Sequence, residues 1–217
     1  MAVAQTYSRA EIGIEAPAVT VEADMLGGLP QIQIVGLPET AVKESKDRVK
    51  SAIQNANFDI PDRRLTINLA PADLPKSGGR YDLAIALSIL AASNQIPSEQ
   101  LTTMEFLGEL ALDGAIRSVS GALPSAIQAS RTDRLLVVPR ENEHEAALAG
   151  SQNVLVADSL LQVIHHLTGS QKLEVAKKGS ITTEHQAIYS LSDIRGQSLA
   201  KRALIIAASG AHNIVLI

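Results

Sequence analysis

The sequence predicts an α/β protein, of the α+β kind, followed by the opening of a second unit. Three observations carry this. Short β-like runs alternate with helical runs from residue 2 to about residue 168. Apolar residues make up 46% of the 217 and aromatics only 2%, so the core is built from Ala, Ile, Leu and Val. Residues 169–191 are polar and turn-prone, and separate that part from a capped helix and an apolar end.

In chain order, Val3 to Tyr7, Val19 to Ala23 and Ile32 to Val35 read as strands, with Gly27-Gly28-Leu29-Pro30 as a turn. Gly36-Leu37-Pro38 ends the third strand and places Pro38 at the first position of a helix running to about Ala56. Val42, Val49, Ile53 and Ala56 share one face of it, and Glu39 with Lys43 and Glu44 with Arg48 are i,i+4 pairs. Leu65 to Leu69 alternates as a strand. A Pro/Gly-rich loop, Pro71 to Arg80, leads to a helix over Leu83 to Ala92 that Asp82 would cap. Short strands follow near Phe106-Leu107 and over Leu110 to Leu112, with Asp113-Gly114 as a hairpin turn. Ala122 to Ser130 reads as a helix. Leu135 to Val138 and Val154 to Val156 read as buried strands, each followed by a helix, over about 141–148 and 159–167.

The expected organisation is one domain over 1–168, a linker over 169–191 and a second unit over 192–217. That unit reads as a capped helix, a stop at Gly210 and a buried strand, Ile214 to Ile217. A strand of this type needs neighbours on both sides and helices on both faces. None follow in these residues, so the reading is the doorway of a further domain.

Composition excludes several function classes. The net charge of −4 does not advertise nucleic-acid binding by the chain as a whole, though a local basic surface fits it. With no Cys there is no disulfide, thiol catalysis or thiolate metal site. His165 and His166 are adjacent, about 100° apart on a helix, and His144, His185 and His212 lack zinc spacing, so no metal site is expected. Residues 1–7 lack a signal peptide's basic and apolar regions, and no apolar run approaches membrane-spanning length. The expectation is a soluble cytoplasmic protein without membrane contact.

Three stretches invite chemistry. Pro75-Lys76-Ser77-Gly78-Gly79-Arg80 enters a helix, as anion-cradling loops do, but the Gly-x-x-x-x-Gly-Lys-Ser/Thr order is absent and a tight turn explains it as well. Ser77 and Lys76 could form a nucleophilic dyad only if they shared a buried site. Adjacent loop side chains diverge, so a turn serine and a solvated lysine are expected. Lys43, Lys46 and Lys50 lie along one helix face, with Arg63, Arg64, Lys76 and Arg80 in loops. They suit phosphate contacts, while interleaved Glu39, Glu44 and Asp47 also suit a solvated, salt-paired face.

Several stretches together resemble one family. They are Tyr7 to Ala10, Ile12 to Pro17, Val35-Gly-Leu-Pro-Glu-Thr-Ala-Val-Lys-Glu-Ser-Lys-Asp-Arg-Val49, Ile67-Asn-Leu-Ala-Pro-Ala-Asp-Leu-Pro-Lys76 and Gly78-Gly-Arg-Tyr-Asp-Leu-Ala-Ile85. The chain is similar throughout to the N-terminal half of ComM/YifB proteins, magnesium-chelatase-like AAA+ ATPases tied to natural transformation. The resemblance implies a Lon-protease-like fold, of the ribosomal S5 domain 2 type, over residues 1–168. It implies that residues 192–217 open an AAA+ module lacking its Walker A loop here. ATP and Mg²⁺ are implied for the full-length protein, with Ile194, Arg195 and Gly196 on the adenine side.

Matching the Lon nucleophile loop, Pro-Lys-Asp-Gly-Pro-Ser-Ala-Gly, to residues 75–82 puts Arg80 at the serine's place. Matching the lysine-bearing run to Gly114–Ile116 and Ser120–Leu123 puts Leu123 at the lysine's. Arginine cannot be an acyl acceptor, nor leucine a proton acceptor. No catalytic residue is therefore expected. The implied role is a non-catalytic, ring-forming or DNA-guiding part of a hexameric DNA branch-migration motor in transformation and recombination. DNA and further copies of the protein would be its partners, with Lys43, Lys46, Lys50, Lys76 and Arg80 as DNA contacts. An ATP-dependent Lon-like peptidase and a chelatase-type remodelling protein are the alternatives.

Overall fold

The structure, a computed structural model, describes residues 3–179 and 190–215. It divides into a unit ending at Gly179 and a unit beginning at Ser180.

The first unit opens with a mixed four-stranded sheet. β1 (Ala4–Arg9), β2 (Ala18–Leu26), β3 (Gln31–Val35) and β4 (Arg64–Ala70) lie in the order β1-β2-β4-β3. β1 and β4 run antiparallel to β2, while β3 is parallel to β4 and joined to it through α1 (Thr40–Asn55). A parallel pair needs such a crossover, and α1 supplies it with Val42, Val49, Ala52 and Ile53 turned inward. Alternation fixes which sheet face is dry: Val19, Val21 and Ala23 on β2, and Leu65, Ile67 and Leu69 on β4, are buried. α2 (Asp82–Ala92) is buried at all eleven positions. A helix apolar all round belongs in a core, and truncating Leu87 in its middle to alanine should cost about 2–5 kcal/mol.

A second sheet contains β5 (Met104–Phe106) and, after a hairpin of β6 (Glu109–Leu110) and β7 (Ile116–Arg117) and helix α3 (Ala122–Arg131), β8 (Leu135–Pro139). It continues through α4 (Glu143–Ala147), β9 (Val154–Ala157), α5 (Leu160–Leu167) and β10 (Glu174–Val175), in the order β10-β9-β8-β5. β5, β8 and β9 are parallel and β10 is antiparallel to β9. The Asp113-Gly114 turn closes the β6–β7 hairpin, with the Ala111 N–H donating to the Ala115 carbonyl at 2.9 Å.

Four local expectations are corrected. α1 starts at Thr40, and Pro38 instead bridges to Lys76 ahead of it. The Glu39–Lys43 and Glu44–Arg48 ion pairs do not form; Arg48 turns to Asp82. Asp82 is the first residue of α2 but caps nothing, because its carboxylate is used across the core. The stretch expected as linker pairs with the sheet at β10, Glu174 opposite Val156, so the first unit runs past Thr168. Residues 180–189 of that stretch, including His185, lie outside the described residues.

Arg140 fastens β10 to its surroundings, 3.1 Å from Glu174 and 3.2 Å from Asp158. Its hydrogen bond to Asp158 holds that carboxyl below the usual range. The cluster is open to water, so Arg140→Ala should lower stability by no more than about 1 kcal/mol, read as a urea midpoint shift. A loss of several kcal/mol would show that β10 holds the unit together.

The second unit has a 3₁₀ turn, Leu191–Asp193, capped reciprocally by Ser190 and Asp193, then α6 (Ser198–Ser209). α6 stops at Gly210, whose N–H still donates to the Ile206 carbonyl at 3.0 Å. Ile214 and Val215 are not in a strand; Leu216 and Ile217, the rest of the expected strand, lie outside the described residues.

Candidate functional site

The loop from Pro71 to Tyr81 places two cations inside the protein. Lys76, expected in water, is fully buried. Its ammonium donates to the Gly36 carbonyl at 2.9 Å and to the Pro71 carbonyl. Burial pulls its pKa below the ordinary lysine value. Both contacts are to backbone, so Lys76 stitches the β3–α1 turn to the loop and forms no dyad with Ser77. It cannot reach DNA from there, and that assignment is withdrawn.

Arg80 is also withdrawn as a DNA contact, at 3% exposure. Its guanidinium donates to Ser125 Oγ at 3.2 Å and the Ser120 carbonyl at 3.4 Å, and lies 3.5 Å from Glu11. Ser120 Oγ donates to the same Glu11 carboxylate at 2.6 Å, and Ser125 Oγ donates to the Gly121 carbonyl at 2.8 Å. Desolvation lowers the Arg80 pKa. Tyr81 beside it is fully buried, its phenol pushed up to about 12 by burial.

Residues 120–125 carry Leu123, so Arg80 and the first turn of α3 do meet. Leu123 is half-buried, and its N–H donates to Glu145 Oε1 at 3.0 Å. Here a charged guanidinium donates to the Ser125 hydroxyl. Ser125 is held by Arg80 and its own helix, with no base on it among the described residues.

Sequence reasoning missed two buried ionic clusters. Asp82 accepts from Ser45 Oγ, from Arg48 Nε at 2.7 Å and from the Leu110 N–H at 3.2 Å. Desolvation raises its pKa against those bonds, while the bond to Asp82 raises that of Arg48. Glu105 accepts from Arg9 Nε at 2.5 Å and Nη2 at 2.7 Å, with Arg134 at 3.4 Å. Partners 34 and 96 residues apart leave no local pattern to read.

The exposed cations lie elsewhere. Lys43, Lys46 and Lys50 line the outer face of α1 and make no ion pair with any described residue. Arg63 is exposed as well. In the second unit, Ile194, Arg195 and Gly196 are exposed between the 3₁₀ turn and α6. Gly196 has a φ of 72°, which glycine adopts freely. No phosphate-gripping loop occurs in the 217 residues, so no step of nucleotide hydrolysis is drawn from this chain. No helix among the described residues is long and apolar enough to cross a membrane, and none of their His, Asp and Glu side chains group to hold a metal ion.

Residues 21–142 match the family described as ChlI, subunit ChlI of Mg-chelatase, and residues 190–217 match Magnesium chelatase, subunit ChlI. The whole chain is 46% identical to Competence protein ComM of Haemophilus influenzae and covers 43% of it. It is equally similar, at 46% over its full length and 43% of the relative, to the uncharacterized protein YifB of Escherichia coli. A weaker similarity, 24% identity over 48% of this chain and 19% of the relative, reaches Lon protease 2 of Bacillus subtilis. The chain thus spans less than half the length of the ComM and YifB proteins that it matches.

Proposed function

The chain belongs to the ComM/YifB family of magnesium-chelatase-like proteins, and on that premise we propose that it is the non-catalytic, DNA-guiding part of a larger AAA+ motor. Residues 1–179 then make up a Lon-like, S5 domain 2-like scaffold, and the second unit opens the ATPase module. The intact protein is a cytoplasmic hexamer that uses ATP and Mg²⁺ to drive branch migration of DNA during transformation and recombination. Its relative's name, a competence protein, and the ChlI-type match support this reading.

The observation that carries it is the closure of the Lon-type reactive positions, with Arg80 bonded to Ser125 and Ser120 and with an aliphatic side chain at Leu123. Such a scaffold keeps shape without hydrolysis. The row of lysines on α1, which make no ion pair with described residues, would give it a hold on DNA. Reversing Lys43, Lys46 and Lys50 to glutamate should weaken DNA binding by the intact protein at least about tenfold at 50 mM salt and flatten its salt dependence. Fluorescence anisotropy reads both, and unchanged affinity and slope would remove α1 from the account. Peptide cleavage, with or without ATP, should be absent in wild type and in Ser77→Ala alike; cleavage abolished by Ser77→Ala would install a peptidase instead.

A further inference from the structure

Beside α1 lies a cleft of about 250 Å³ whose walls come from three parts of the chain. Ile32 comes from β3, an edge strand of the first sheet, and Pro30 immediately precedes that strand. Pro61 comes from the turn into β4, and Lys46 and Lys50 from successive turns of α1, with Arg63 completing the rim. The three cations are exposed and make no ion pair with described residues. Pro30, Ile32, Ile60 and Pro61 give the cleft apolar surface beside the polar Gln31, and the carboxylate in the lining is that of Asp47.

We propose that this cleft holds one unpaired nucleotide of a DNA single strand, its base between Pro30, Ile32 and Pro61 and its flanking phosphates on Lys46, Lys50 and Arg63. This rests on the DNA reading above and narrows it to strand type. Lysines one helical turn apart are separated by about 5–6 Å at their Cβ atoms, a spacing that suits consecutive phosphates along one strand. A paired base inside a duplex has no face to offer an apolar slot, whereas a splayed base does. Asp47 repels phosphate and accepts a hydrogen bond from a base N–H, so it separates the slot from the phosphate track. The Lys46–Lys50 row continues towards Lys43 on the same face of α1, giving the strand an onward path.

Three labelled ligands test this by anisotropy on the intact protein: a 20-nucleotide thymidine strand, the same length of abasic sugar-phosphate strand, and a duplex. The thymidine strand should bind roughly tenfold more tightly than the abasic strand, because the slot contact is lost without a base. It should also outcompete the duplex. The Lys46→Ala/Lys50→Ala/Arg63→Ala variant, altered only at exposed side chains, should lose the preference and reduce the salt slope by about two. Equal binding of all three ligands, abolished by the variant, would overturn the base slot while leaving a DNA-guiding surface. A preference for thymidine that survives in the variant would place the slot elsewhere and overturn the inference. No binding to any ligand would sink the DNA reading and the inference with it.

Discussion

Replacing Glu105 with alanine is expected to cost about 3–5 kcal/mol. Glu105 has no exposed surface, and the Arg9 side chain that grips it is 4% exposed. Arg9 also donates to the Ala16 carbonyl at 3.0 Å and Thr132 Oγ1 at 3.2 Å, so it is fixed and cannot swing to water. Arg134 completes the cluster, its guanidinium stacked 3.8 Å over the Tyr7 ring. Arg9 belongs to β1 and Glu105 to β5, so the pair joins the edge strands of the two sheets. Removing the carboxylate strands one cation in the core, which costs far more than the pair contributes when intact. The melting temperature should fall by roughly 6–20 °C for a unit of this size. A second variant separates the terms: Arg9→Met with Glu105→Leu removes both charges and should recover most of the loss. A drop below about 1 kcal/mol in Glu105→Ala would mean that the two sheets are joined by packing alone.

Lys76→Met should cost about 2–4 kcal/mol. Methionine matches the stem but leaves the Gly36 and Pro71 carbonyls without their donor, each at a cost of about 1–3 kcal/mol. Relief of the buried ammonium offsets part of this. The sign of the pH dependence follows from the lowered pKa. The folded protein binds the Lys76 proton less readily than the unfolded chain, so this group's contribution to stability rises as pH climbs from the folded pKa towards the ordinary value of 10.5. Lys76→Met should therefore remove that part of the alkaline dependence, which denaturation at pH 8, 9 and 10 would reveal. A lysine serving DNA would behave oppositely: loss of affinity, with stability and its pH profile unchanged.

Lys76 and Asp82 mark where sequence reading stops here. Alternation in β2 and β4, and the inward stripe of Val42, Val49 and Ile53, are local patterns, and they placed strands and helix to within a few residues. The Asp113-Gly114 turn is local too. Lys76 sits in a Pro/Gly loop, where lysine ordinarily faces water; its burial depends on a carbonyl 40 residues away. Asp82 stands where an N-cap would, but Arg48 and Ser45 on a neighbouring helix outbid the local backbone for its carboxylate. β10 has only two residues, too few for any period to show. The contact of Arg80 with Ser120 and Ser125 at the start of α3 had no local signal, since its partners lie 40 and 45 residues away. The lysines of α1 were legible as a row, but the cleft beside them was not, since its walls come from three separate segments.

The most direct test of the account is ATP-driven strand movement by the intact protein on a branched DNA junction, run beside a peptide-hydrolysis assay under the same conditions. The account predicts movement of the junction by wild type, no peptide cleavage, and loss of movement with retained ATP hydrolysis when Lys43, Lys46 and Lys50 are reversed in charge. ATP-dependent peptide cleavage with no effect on the junction would contradict it.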